Sequence, residues 1–307
     1  MKNLPYKIRI ISAPSILGLR PNTAEMQATA LLNNGLLERT GAHPPVTEVP
    51  TFNTFYSANR DPVTNCLNPV LLRDFSETLM QPVADTLSQD HFAMVAGGDC
   101  SILLGILPEL KKISDYALIY IDSHADFYQP ERSTTGEVAD MVLAIATGRG
   151  PDVLTNIHEL KPYVKDENVI HIGQRDQEET IKYRSQEIRE TEIHCIGINK
   201  VQTEGIAATV EYIHTLLNNM TVAGYWIHFD TDVLADDINP AVDYRLPGGL
   251  RFEEASAIIN SMLQTGKVAG MSITGYNPTK DPQEIIAKGI VRCLENAFNF
   301  QVQHADG

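Results

Sequence analysis

Basic residues are scarce in this chain. Lysine and arginine total 24 against 39 aspartates and glutamates, a formal charge of −15. A surface of that sign repels phosphate, which argues against nucleic acid and anionic membrane as partners and favours small cations. Long hydrophobic runs are missing too. No segment approaches the roughly 20 apolar residues needed to cross a bilayer, and Met1-Lys2-Asn3-Leu4-Pro5-Tyr6 lacks the apolar core of a signal peptide. Cysteine is sparse: Cys66, Cys100, Cys195 and Cys293 form no closely spaced pair. That speaks against a disulfide framework and suits a reducing, cytoplasmic setting. No linker, charge block or internal repeat interrupts 1–307, so a single domain is expected. With 307 residues and 43% hydrophobic content, it has enough apolar material for a substantial core.

What the chain does have is a set of apolar runs that end in acids. Ala117-Leu118-Ile119-Tyr120-Ile121 leads into Asp122-Ser123-His124-Ala125-Asp126. The run has strand composition, and alternate residues of a strand share a face. With extended backbone carried past the run, Asp122, His124 and Asp126 point one way. Such groups resist desolvation together unless a cation sits among them, and a divalent metal is the simplest one. The pattern recurs. Residues 224–229 end in Asp230-Thr231-Asp232, and residues 92–96 end in Gly97-Gly98-Asp99-Cys100-Ser101. The carboxyl ends of strands are where an open α/β sheet builds its sites. A solvated loop with a capping Asp explains one such stretch more easily than three.

Strands are predicted at 7–12, 46–49, 92–96, 117–121, 168–173, 193–197, 224–229 and 269–274. Helices are predicted at 21–41, 69–89, 102–110 with Ser101 as cap, after Asp140 through Ala146, and at 178–189, 203–217, 252–263 and 282–300. Eight strands alternating with helices imply a three-layer αβα sandwich built on an eight-stranded, mostly parallel sheet.

The motifs, with Pro247-Gly248-Gly249-Leu250 and Asn277-Pro278 after them, stand in the order of the ureohydrolase (arginase/agmatinase/formimidoylglutamase) superfamily. The chain resembles that family from its first strand to its last helix. The resemblance implies an arginase-like fold with two divalent metal ions, usually Mn2+. It implies Cys100, Asp122, His124, Asp126, Asp230 and Asp232 as metal ligands, with Asp122 and Asp230 shared between the ions. Carboxylates with one imidazole suit a hard ion of that kind. The implied activity is that of a metal-dependent amidinohydrolase. Hydroxide held between the ions attacks a small guanidino- or amidino-type substrate, breaks a linear C–N bond and releases urea or a urea derivative. Asp126 is implied as the catalytic residue that passes a proton to the leaving nitrogen. Family members often form trimers or hexamers, which makes a homo-oligomer an implied partner.

Several positions depart from the family pattern. Cys100 stands where a ligating His is usual, and a thiolate is softer and more anionic, so Zn2+ or Fe2+ become alternatives to Mn2+. Ala235 replaces the third acid of the late motif, with Asp236 one residue on. Ala139 occupies the place of the proton-shuttling His of arginases, Tyr128 that of an Asn, and Gly275 that of the Glu that grips a guanidinium. A Cys ligand without the shuttle resembles a divergent branch typified by the N-hydroxy-arginine amidinohydrolase of cycloserine biosynthesis. An N-hydroxyguanidine is less basic than a guanidinium, so it can arrive uncharged and needs less proton delivery. Glu178 falls where the family places an acid on the substrate's amino group, although a solvated acid at a helix start explains it equally well. Glu137 and Asp140 offer replacements for the lost grip. Tyr128, Glu137 and Glu178 are thus the candidate substrate-binding residues. The other histidines, His171 and His228 among them, match no ligand motif and read as structural or surface.

Two other functions fit less well. A zinc deacetylase shares this fold but uses paired adjacent histidines, and no two histidines are adjacent here. A non-catalytic, metal-stabilised binding or regulatory descendant would keep the acidic cluster idle, and that cluster destabilises the fold whenever metal is lost.

Overall fold

The computed structural model describes residues 6–299. Residues 1–5 of the N-terminal reading, the predicted helix end at Phe300, and His304 lie outside the described residues.

Apolar strands with few polar interruptions are stable only when both faces are covered. The chain meets that condition with one sheet. Its strands are β1 (Ile8–Ala13), β2 (Thr47–Glu48), β3 (Phe92–Gly97), β4 (Tyr116–Ile121), β5 (Val169–Ile172), β6 (His194–Ile196), β7 (Gly224–Asp230) and β8 (Val268–Thr274). They lie in the order β2-β1-β3-β8-β7-β4-β5-β6, and every neighbouring pair is parallel. The expected mostly parallel sheet is parallel throughout.

Alternation along β4 sorts its side chains between two apolar layers. Ile119 and Ile121 join Met94, Ile227 and Met271 beneath the helices Phe252–Leu263 and Ile285–Ala297. Leu118 and Tyr120 join Val95 and Trp226 beneath Pro69–Leu87 and Leu107–Ile113. This is the αβα sandwich. Its central four strands, β3, β8, β7 and β4, are the ones whose carboxyl ends carry Cys100, Gly275, Asp230 and Asp122.

Several helices differ from the periodicity-based prediction, because loop polar groups find partners that local patterning does not report. Asp99, not Ser101, is the cap after β3. Its carboxylate accepts the amide hydrogens of Ser101 (2.8 Å) and Gly18 (3.1 Å). A 3-10 segment, Cys100–Gly105, follows before the α-helix Leu107–Ile113. Gly98 belongs to the same turn, where a Cβ would lie 1.8 Å from the Ser15 carbonyl oxygen. The helix predicted after Asp140 and through Ala146 is Val142–Ala146, and the Asp126 carbonyl, which takes the Leu143 amide hydrogen at 3.0 Å, sets its start. The helix predicted at 178–189 is Gln177–Lys182. That predicted at 21–41 is broken at Gly35, with φ +90°. The one at 203–217 runs from Ile198 to Asn219 with a kink at Gly205. No helix among the described residues is long and apolar enough to cross a membrane.

Candidate metal centre

β4 ends at Ile121, so the extended backbone expected to carry Asp122, His124 and Asp126 does not persist. Asp126 instead turns into the left-handed region at φ +46°, and its carboxylate receives the Tyr120 hydroxyl hydrogen. All six proposed ligands still reach one cavity of about 360 Å3 at the carboxyl edge of the sheet.

Their donor atoms fall into two groups that share Asp122. Sγ of Cys100, a carboxylate oxygen each of Asp122 and Asp230, and a ring nitrogen of His228 lie within 4.8 Å of one another. Asp122, His124 and Asp232 form the second group within the same limit. Asp230 belongs to the first group only, and Asp126 to neither; it lines the cavity beside them. His228 is the member that sequence reasoning missed. Its signal was its place two residues before Asp230, on the same face of β7.

Burial sets the electrostatics of the floor. It pushes the Asp230 carboxyl up to about 7, with repulsion from Asp232 adding to the effect. Burial also raises Asp122 well above the carboxylate range, with Asp232 and Asp126 contributing. The Cys100 thiol is raised by burial and then by Asp230, to which it donates at 3.0 Å. Burial opposes charge on His124, yet Asp232, 2.9 Å from Nδ1, keeps that imidazole well above its usual value. Asp232 is correspondingly held below the ordinary range by His124 against its own burial.

The residues present fit a divalent pair. Asp122 Oδ2 is buried with no hydrogen-bond partner. Among the described residues, His124 is the one cationic side chain ion-paired with the floor carboxylates. That leaves most of the negative charge uncompensated at a largely buried place, where a cation is worth more than at the surface.

Neighbouring loops fix the two ligand-bearing turns. Arg175, just after β5, donates to the carbonyl oxygens of Asp232 (2.7 Å) and Val233 (3.1 Å). Asp176 beside it accepts the Ala125 amide hydrogen at 3.0 Å. His171 Nε2 donates to the His124 carbonyl at 2.7 Å. A neutral ring serves here, since burial lowers the His171 pKa to about 4.

Of the residues predicted to bind substrate, Tyr128 lines the cavity. Glu178 is exposed and stands off the wall; Glu179, one residue on, lines it in its place. Glu137 is buried behind the wall. Its carboxylate accepts the Arg20 amide hydrogen at 2.7 Å and the Tyr244 hydroxyl at 2.5 Å. Tyr244 in turn sets its ring edge-on to His124, with centroids 6.4 Å apart. The wall is acidic: Asp140, Asp176, Glu179 and Asp243 line it, and Arg245 is engaged by Asp236 at 2.6 Å.

A family model described as the Arginase family matches residues 23–298. The chain belongs to the arginase family. It is 26% identical to an arginase of Staphylococcus aureus strain MSSA476, covering 95% of this chain and 96% of that protein. It is 28% identical to an arginase of Bacillus subtilis strain 168, covering 94% and 96%. In fold it is similar to the crystal structure of arginase from Bacillus cereus, with a TM-score of 0.84 and 24% identity over 97% of this chain and 100% of that one. It is also similar to the proclavaminate amidino hydrolase of Streptomyces clavuligerus, with a TM-score of 0.66 and 16% identity over 95% and 92%.

Membership of the arginase family makes the chain a metal-dependent ureohydrolase. Within that family frame the cavity is rebuilt around its floor. Ala139 presents a methyl group at the wall, and Gly275 presents only backbone beside Asp230.

Proposed function

We propose that this chain hydrolyses a linear C–N bond in a small guanidino- or amidino-type substrate and releases urea or a urea derivative. The observation that carries the reading is the convergence of Cys100, Asp122, His124, Asp126, Asp230 and Asp232 on the floor of one acid-walled cavity. Two divalent ions, Mn2+ or the softer Zn2+ or Fe2+ that Cys100 accommodates, would be held there by those side chains. When bound, such a pair lowers the pKa of water and so supplies a nucleophile at neutral pH.

The chain's own residues do the rest. Asp126, aimed by the Tyr120 hydroxyl, takes a proton from the attacking water and returns it to the leaving nitrogen. Asp140, Asp176 and Glu179 draw a cationic tail against the wall. Tyr244 stands at the wall edge-on to His124, anchored by Glu137. At the reacting end, Ala139 and Gly275 offer neither a proton relay nor a carboxylate for a guanidinium. That favours a weakly basic group such as an N-hydroxyguanidine, which needs neither.

The test is urea release by metal-loaded protein across arginine, agmatine and N-hydroxy-arginine, with bound metal measured in parallel. The reading expects two ions per chain and turnover highest on N-hydroxy-arginine. Equal rates on all three would remove the N-hydroxyguanidine preference. Two bound ions with no turnover of any guanidine would favour a binding protein. Asp126→Ala combined with Asp232→Ala is expected to lose at least one ion; full metal content in that variant overturns the assignment of the floor.

A further inference from the structure

His228 is fully buried on β7, and its surroundings account for one ring nitrogen but not the other. It belongs to a row across the sheet in which His171, Tyr120, His228 and Ser272 are register partners on β5, β4, β7 and β8. The Tyr120 ring stacks on it at 4.6 Å between centroids and 27° between planes, which fixes the plane of the imidazole. Nδ1 lies 2.8 Å from Ser272 Oγ, an oxygen that also receives the Trp226 Nε1 hydrogen at 3.2 Å. That oxygen has two lone pairs, enough to accept from both rings.

With Nδ1 carrying the hydrogen, Nε2 carries a lone pair. Its polar neighbour, Thr274 Oγ1, is 3.4 Å away and already donates its single hydrogen to Asp230 at 2.8 Å. In that tautomer Nε2 is an acceptor whose neighbouring hydroxyl has no hydrogen left to give it, within the group formed with Cys100, Asp122 and Asp230. The other orphan of that group is Asp122 Oδ2. Neutral imidazole is the form that binds metals.

We propose that the inner of the two ions is held by Cys100 Sγ, Asp122, Asp230 and His228 Nε2. The imidazole missing at position 100 is then supplied from a neighbouring strand. The small Cys100 side chain leaves room for a ring entering from β7, and Ser272 fixes the ring's tautomer as outer partners of metal-bound histidines do. Cys100 binds as thiolate, its proton leaving to solvent through the cavity. One sulfur, one nitrogen and carboxylate oxygens favour Zn2+, Co2+ or Fe2+ over Mn2+ at this position.

The inference rests on the proposed two-metal reading, and the experiment separates the two. Chelator-stripped full-length protein is titrated with Co2+ and with Zn2+, and imidazole coordination is counted by X-ray absorption on the Zn2+-loaded form. The expected result is two ions per chain, a thiolate-to-Co2+ charge-transfer band, and two coordinated imidazoles. His228→Asn should reduce the imidazoles to one. Ser272→Ala, which keeps the ring, should weaken the tighter ion about 10- to 100-fold. Two bound ions with a single imidazole in the unaltered protein overturn the role of His228 and leave the metal pair standing. No bound ion overturns both. The count on the unaltered protein decides the matter even where His228→Asn fails to fold.

Discussion

The Cβ that Gly275 lacks would sit 2.0 Å from Oδ1 of Asp230. Gly275 also has φ +84°, a conformation that an L side chain adopts only under strain. The residue is thus tied to the carboxylate beside it. A side chain at 275 and Asp230 in its present orientation cannot coexist. The absence of the family's guanidinium-gripping Glu here is matched by the position of its neighbour.

Gly275→Ala should therefore strike the metal floor and not only the backbone. The left-handed strain alone costs about 1–2 kcal/mol, and the displaced Asp230 adds weaker metal binding. Calorimetric unfolding and a metal titration check both. A variant that unfolds earlier but binds metal with unchanged affinity would show that Asp230 is free to move aside. Gly275→Glu should not create arginase activity, because the new carboxylate arrives by disturbing Asp230.

Tyr120→Phe should lower kcat about tenfold or more while leaving KM within about twofold, as expected for a group that acts after binding. Tyr120 lies under Asp126, is fully buried, and donates its hydroxyl hydrogen to that carboxylate. Without it Asp126 loses its fixed direction at the reacting atoms. Steady-state kinetics on the best substrate of the panel separate the two parameters.

Tyr244→Phe should act on KM instead. The Tyr244 hydroxyl is held by buried Glu137 at 2.5 Å, and the ring stands edge-on to His124. Losing the hydroxyl leaves a buried carboxylate with the Arg20 amide as its remaining partner, a loss of about 1–2 kcal/mol for a bond to a charged group. That part of the cavity wall loosens, KM rises several-fold, and amide hydrogen exchange across 243–246 speeds up. Unchanged exchange in that segment would remove Tyr244 as the anchor of the wall.

Asp140 predicts a pH dependence. Burial, then repulsion from Glu137, raises its carboxyl from 3.8 to about 7. Folding therefore favours the protonated form. The stability it contributes is complete below pH 4 and is lost as pH rises to 7. Asp140→Asn, neutral throughout, should remove that loss. The variant should gain on the unaltered protein between pH 4 and pH 7, reaching about 1–2 kcal/mol once solvent in the cavity is allowed for. Urea unfolding of both at the two ends of that range, with metal present, measures it. An equal difference at both ends would place the Asp140 carboxyl in the ordinary range.

The parallel α/β architecture and five of the proposed ligands were legible in the chain as written. Asp122, His124, Asp126, Asp230 and Asp232 follow apolar strands at short spacing, and a strand fixes where its own next residues go. Cys100 was legible only through the order of the motifs. Glu178 was chosen where Glu179 lines the wall, because the irregular loop before the helix Gln177–Lys182 sets which of its faces meets the cavity, and such a loop has no fixed period to count along. Asp126 reached the cavity by a left-handed turn in place of the extended path expected from alternation, since the Tyr120 hydroxyl and the Leu143 amide hold it there.

The sequence by itself determined that this is a parallel sheet with acids at its carboxyl edge, because strand composition and residue alternation are local properties. Only the tertiary structure decided which strands became neighbours. That choice set Cys100 of one strand end beside Asp230 of another and His228 below both, and put Tyr244 against the loop that holds Glu137. Those relations depend on strand order and loop closure, and no local window of the chain contains them.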